Sequence, residues 1–177
     1  MNTKTDEKFT AWGAFLQAGS TILKALAREM EEDQHLPLTW FDVLACLSYA
    51  PEGRLRMQVL ANSMYLSNSG LTRLLNRMTS AGLVERQTCA EDRRGWYAVL
   101  TAKGREVFER ATPGHKRGVQ THFLNHLNDK DIRDLNRIMA KIIGTQNDQK
   151  TRESSISQKE DIKSTLALKE KPNVKER

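Results

Sequence analysis

Cysteine is scarce in this sequence. Only Cys46 and Cys89 occur among 177 residues, and they fall in different expected elements, so no disulfide framework is available and a reducing, cytoplasmic setting is expected. No stretch approaches the ~18 consecutive apolar residues of a membrane span, so a membrane is not among the expected partners. The first eight residues include Asp6 and Glu7 and lead into no unbroken apolar run, which argues against a secretory signal. Catalytic constellations are missing as well: there is no phosphate-binding loop, no metal-protease helix signature, no Gly-flanked nucleophilic serine and no pair of carboxylates with an obvious pocket. An enzyme is therefore not expected, and no cofactor is called for. Internal repeats are also lacking.

What the chain does have is positive charge in one place. The formal net charge is +6, and the segment from Arg54 to Arg105 holds nine Lys/Arg against three acids, so the remainder sums to zero. A basic balance concentrated in one region is how attraction to phosphate is usually arranged. The chain length suits one domain with a tail.

Apolar periodicity lays out the elements. Phe9, Trp12, Phe15, Leu16, Ile22, Leu23, Leu26 and Met30 recur at three- and four-residue steps, the signature of a long amphipathic helix. After a break at His35-Leu36-Pro37-Leu38, Thr39 reads as the N-cap of a second helix through Val43, Leu44 and Leu47. Leu55-Arg56-Met57 suits a strand edge or a turn. Val59, Leu60 and Met64 supply a short third helix. A fourth starts at Ser67, with Leu71, Leu74, Leu75 and Met78 on its inner face, and stops at Ala81-Gly82. Residues 83–89 and 96–100 have β composition and flank the charged loop Glu91-Asp92-Arg93-Arg94-Gly95, which predicts a hairpin. Thr101 opens a fifth helix, with an interruption expected at Pro113-Gly114. A sixth carries Ile132, Leu135, Ile138, Met139, Ile142 and Ile143 on one side. The fold class is thus mainly α with a small β-hairpin wing: a winged helix-turn-helix over about 39–104, with helical regions at about 8–33 and 101–144. The mixed-charge stretch 145–177 reads as a disordered tail.

These elements carry specific motifs. Leu71-Thr72-Arg73-Leu74-Leu75-Asn76-Arg77, Gly82-Leu83-Val84-Glu85-Arg86, Asp92-Arg93-Arg94-Gly95 and Leu100-Thr101-Ala102-Lys103-Gly104, in this order and at these intervals, closely resemble the MarR family of bacterial transcription regulators. The similarity spans roughly Phe9 to Gly144. The resemblance implies a homodimer in which the first, fifth and sixth helices interlock and two winged heads straddle a pseudo-palindromic operator. It also implies a regulator, most often a repressor, released by a small ligand or by oxidation. One departure is Asn76, where many relatives carry Asp; a tie between that position and the wing arginine would here be a neutral hydrogen bond or absent.

A recognition helix needs small polar side chains in its first turn and a longer donor one turn later. Ser67, Asn68, Ser69, Thr72, Arg73, Asn76 and Arg77 answer that need, with Arg73 placed for a bidentate contact to guanine. In the wing, Arg94 beside Gly95 suits the narrow minor groove of double-stranded DNA, and Arg93 suits phosphate. The reading left open beside this one is an architectural or RNA-binding winged-helix protein that uses the same basic head without sequence preference. Aromatic residues are few, 6% of the chain, yet Trp12, Phe15, Trp40 and Phe41 gather in the first two helices. The resemblance implies a pocket for a small aromatic acid near them, and Trp12, Phe15, Trp40 and the cation Arg56 are its candidate lining. Cys89, with Arg86, Arg93 and Arg94 close in sequence, is the candidate redox position. His115, His122 and His126 would share a helical face, but no acid or cysteine at a convincing interval completes a metal site, so no metal is expected.

Overall fold

The computed structural model describes residues 3–88 and 95–144, and the chain divides into two compact units meeting at residues 126 and 127. The first runs α1 (Thr3–Gln34), α2 (Leu38–Ser48), a single 3-10 turn, β1 (Arg54–Arg56), α3 (Met57–Ser63), α4 (Asn68–Ser80), β2 (Val84–Thr88), β3 (Trp96–Leu100) and α5 (Ala102–His122). In the second, α6 occupies 129–144. Helices with a small antiparallel sheet of order β1-β3-β2 make this a winged helix-turn-helix.

The inner face of α4 reflects its sequence pattern. Leu71, Leu74, Leu75 and Met78, at i, i+3, i+4 and i+7, are buried against Leu44, Leu47 and Leu60 of the two preceding helices. Each such burial contributes roughly 1.5–3 kcal/mol before conformational entropy is charged against it. Ser67 caps the helix by accepting from the Gly70 amide at 3.1 Å. The far end closes through Gly82, at φ +74°, with the Gly82 amide donating to the Thr79 carbonyl and the Leu83 amide to that of Met78. Glycine suits that left-handed position because it has no Cβ.

The start of α5 is welded to the sheet. The Thr101 hydroxyl accepts from the Gly104 amide at 2.9 Å and lies 2.8 and 3.0 Å from the Gly82 and Leu83 carbonyls, which share its single proton. One side chain thus caps a helix and ties it to the turn before β2.

Several expectations need correction. The first helix begins earlier than Phe9 and ends at Gln34, since polar residues at both ends extend it at little cost. Pro37, not Thr39, precedes α2, which has no side-chain cap; the Pro37 carbonyl accepts from Trp40 and Phe41 instead. Of the strand edge and the turn expected at Leu55-Arg56-Met57, the strand holds over Arg54–Arg56, because Leu55 pairs with Ala98 at the edge of the wing sheet. Helix α5 is not interrupted at Pro113-Gly114. Proline deletes one donor from the ladder, and packing of α5 along α1 and α2 holds the helix together across that gap. In α6, Asn128 Oδ1 accepts from the Lys130 and Asp131 amides while Asp131 Oδ2 accepts from the Asn128 amide. Asn128 and Asp131 thus cap the start of α6 reciprocally.

Candidate nucleic-acid interface

The outer face of α4 is polar along its length, but its side chains are not equivalent. Ser67 is committed to its cap and lies 3.2 Å from Ser69 Oγ. Asn68 Nδ2 donates to Gln58 Oε1 of α3 at 3.1 Å, and Gln58 Nε2 in turn donates to Asn62 at 3.5 Å. Asn68 thereby joins the two helices of the motif. Arg73, Asn76 and Arg77 are exposed, and their side chains bond to no described residue. Thr72 is half-buried, and its carbonyl accepts from Arg86 Nη2 at 3.2 Å.

Arg86 and Gln58 are positioning residues that sequence reasoning did not single out. A signal for Arg86 was present: strand alternation puts it on the same face of β2 as Val84, toward α4, where its guanidinium meets the recognition helix. Its Nε is buried with no hydrogen-bond partner among the described residues. Gln58 had no local signal, because its partner lies ten residues away across the turn.

Between α4, the β1–α3 junction and the wing lies a cleft of about 510 Å³ lined by Arg56, Gln58, Asn68, Thr72, Arg86 and Trp96. Arg54 and Arg56 both lie over the Tyr97 ring, 5.2 and 5.8 Å from its centroid, and Arg56 Nε donates to the Tyr97 hydroxyl at 3.4 Å. Arg93, Arg94 and Cys89 lie outside the described residues.

The four candidate effector residues do not converge. Phe15 lines an open groove of about 1060 Å³ between α1 and α2, with Leu23, Lys24, Arg28, Leu38 and Asp42. Trp12 stacks on Phe15 at 5.9 Å, Trp40 packs against the core, and Arg56 belongs to the cleft beside α4. The three histidines also part company. His122 Nε2 meets Glu29 Oε1 of α1 at 2.5 Å, His115 packs on Phe41 with ring centroids 4.5 Å apart, and His126 falls beyond the end of α5. No group of three or more His, Cys, Asp or Glu is arranged to hold a metal among the described residues.

His115 has a measurable consequence. Burial pulls its pKa below the ordinary 6.5, with Asp42 opposing it by a smaller effect, and its Nδ1 is buried with no partner among the described residues. A base whose folded pKa is lowered contributes stability while neutral and loses it as pH falls below its unfolded value. Asp42, raised by burial and opposed by His115, acts the other way, because protonation relieves its burial as pH falls into the carboxylate range. Thermal melting should therefore show stability dropping as pH is lowered from 7 through about 6, and His115→Gln should flatten that limb. A His115→Gln profile parallel to that of the parent would contradict this account. The Cys46 thiol, raised by burial and by Asp42, has little thiolate with which to react.

A family model described as MarR family matches residues 36–95, from just before α2 to the edge of β3. Solved structures that share the fold include AbsC, a MarR family transcriptional regulator from Streptomyces coelicolor, 30% identical with a TM-score of 0.75 over 80% of this chain and 95% of that one. Sco3205, a MarR family transcriptional regulator from the same organism in complex with DNA, is 30% identical, with a TM-score of 0.73 over 77% of this chain and 86% of that one. A mutant MarR from E. coli complexed with operator DNA has the same fold at 22% identity, with a TM-score of 0.67 over 77% of this chain and 96% of that one. Comparison with curated proteins gives no match. The winged head, its exposed polar helix and these likenesses define a transcriptional regulator and not an enzyme. The chain belongs to the MarR family.

Proposed function

We propose that this protein is a homodimeric, sequence-specific DNA-binding repressor acting in the cytoplasm on a pseudo-palindromic operator and released by a small effector. The observation that carries the reading is α4: its apolar residues are consumed by the core while Arg73, Asn76 and Arg77 stand outward without partners among the described residues. The DNA complex of Sco3205 supports a duplex as the target. Arg73 reads guanine in the major groove; Ser67, Ser69 and Thr72 sit near the backbone; Arg93 and Arg94 enter from the sequence alone as wing contacts to phosphate and minor groove. Asn68 acts by bracing α4 against α3.

Two heads are needed because half-sites one helical turn apart, ~34 Å, require paired modules. The exposed Phe9, Trp12, Phe15, Leu16 and Leu23 of α1, and Ile138, Ile142 and Ile143 of α6, supply apolar surface for a second copy. The α1–α2 groove is the place for a small aromatic acid, with Phe15 and Leu23 for the ring and Lys24 or Arg28 for the carboxylate. That acid would favour a dimer whose heads are wrongly spaced. Cys89 is the position at which oxidation would act.

Selection of bound sequences from randomised duplex DNA, with light scattering on the same preparation, tests the reading. A palindromic consensus bound by a dimer is expected. Random duplex competing as well as the recovered sequence would favour an architectural role.

A further inference from the structure

Tyr65 occupies the turn of the helix-turn-helix at a position that chain geometry reserves for other residues. Helix α3 closes through it: the Tyr65 amide donates to the Asn62 carbonyl, the Leu66 amide to that of Ala61, and Tyr65 takes φ +52°. Glycine or asparagine is the usual occupant of this left-handed closing position. Four other described residues share a positive φ, and among them His35 (φ 49°) closes α1 in the same way as Tyr65 closes α3. Glu52 (φ 56°) is paired with Arg54, and Gly53 and Gly82 carry no side chain to strain.

The tyrosine ring gains nothing inside the subunit. At 93% exposure it is the most exposed of the large hydrophobic side chains, and it has no ring contact and no hydroxyl partner among the described residues. Tyr49, 78% exposed, at least meets Phe108 edge-on at 5.9 Å. Tyr65 lies two residues before Ser67, so it projects from the point where the chain enters the recognition helix. Gln58 and Asn68 brace α3 to α4 across this same turn, giving the ring a fixed base despite its exposure. Tyrosine combines a flat apolar ring, which packs on deoxyribose, with a hydroxyl that donates to phosphate oxygen, and such contacts set register without reading sequence.

We propose that Tyr65 is a DNA-backbone contact: its hydroxyl donates to a phosphate flanking the major groove entered by α4, and its ring rests on the adjoining sugar. The inference rests on the duplex-binding reading above. It adds an aromatic anchor to a surface otherwise built from cations and small polar side chains, and it gives the exposed ring of Tyr65 a partner.

The test compares Tyr65→Phe and Tyr65→Gly with the parent on two probes, the duplex recovered by selection and a random duplex of equal length, across a salt series. Tyr65→Phe, which removes the hydrogen bond alone, should weaken both probes by roughly tenfold, the scale of a hydrogen bond to a charged acceptor, and Tyr65→Gly, which removes the ring contact as well, by more. The ratio between probes should not change, and neither should the slope of log affinity against log salt, because a neutral group releases no counterion. The melting temperature of Tyr65→Gly should be equal to or above that of the parent, since glycine suits the turn. Parent-like affinity in both variants overturns the proposal, as does a loss confined to the selected duplex or one that tracks a fall in melting temperature. If the parent itself binds no duplex, the proposed function falls with it; if the parent binds selectively and the variants match it, only the role of Tyr65 falls.

Discussion

Gly104→Ala should destabilise the protein by about 3 kcal/mol, read as a melting temperature lower by roughly 10 °C. A Cβ at this position would lie 2.1 Å from the Leu83 carbonyl oxygen and 2.9 Å from Leu100 Cδ1. Leu100 has a side chain that can turn away, but Leu83 O is backbone. It is held by the Thr101 amide at 3.3 Å as well as by the Thr101 hydroxyl. Relief requires α5 to lift from the sheet, which breaks the Thr101 cap and withdraws Phe108 and Ala111 from the core. Gly114→Ala is the control. It lies in the same helix, its added Cβ would meet only Arg117 Nη2 at 3.7 Å, and removing a helical glycine should leave stability equal or raise it by roughly 0.5–1 kcal/mol. Equal melting temperatures for the two variants would show that the junction is looser than its geometry.

Arg73→Ala should abolish discrimination at one base step of each half-site. A bidentate arginine–guanine contact is worth ~1–3 kcal/mol of discrimination, so a dimer using two would lose roughly 30-fold or more in affinity for its selected duplex. Random duplex should lose far less, because only one phosphate-attracting charge per head is removed. Repeating the selection with the variant should return a consensus degenerate at that step and intact elsewhere. Arg77→Ala is the useful comparison, since it removes the same charge one turn along α4 without removing the contact assigned to Arg73. A consensus unchanged by Arg73→Ala would move base reading to Asn76 or Arg77 and remove Arg73 from the site.

How much of this was legible depends on the range over which each feature is decided. The inner face of α4 was readable because four apolar residues at helical spacing have no other way to be buried together. Its end at Gly82 was readable because only a residue without a Cβ closes a helix there at no cost. The continuity of α5 through Pro113 was not, since local rules register the missing donor and not the helices packed against it. At Leu55 the sequence left strand edge and turn open, and the strand prevails because β3 offers β1 an edge, a fact no local window contains. Among the effector candidates, packing keeps Trp12 stacked on Phe15 but sets Trp40 against the core and Arg56 in the cleft beside α4, a separation that chain position does not reveal.

Sequence by itself determined the order of elements, the polarity of the recognition helix and the concentration of positive charge around it, because periodicity and charge are properties of neighbours along the chain. Tertiary structure alone decided which polar groups remain available. Asn68 is taken by Gln58, Ser67 by its own helix, the Thr72 carbonyl by Arg86 and the Gly104 approach by Leu83. Hydrogen bonds form between atoms within about 3 Å, and which atoms come that close is settled by how distant segments pack.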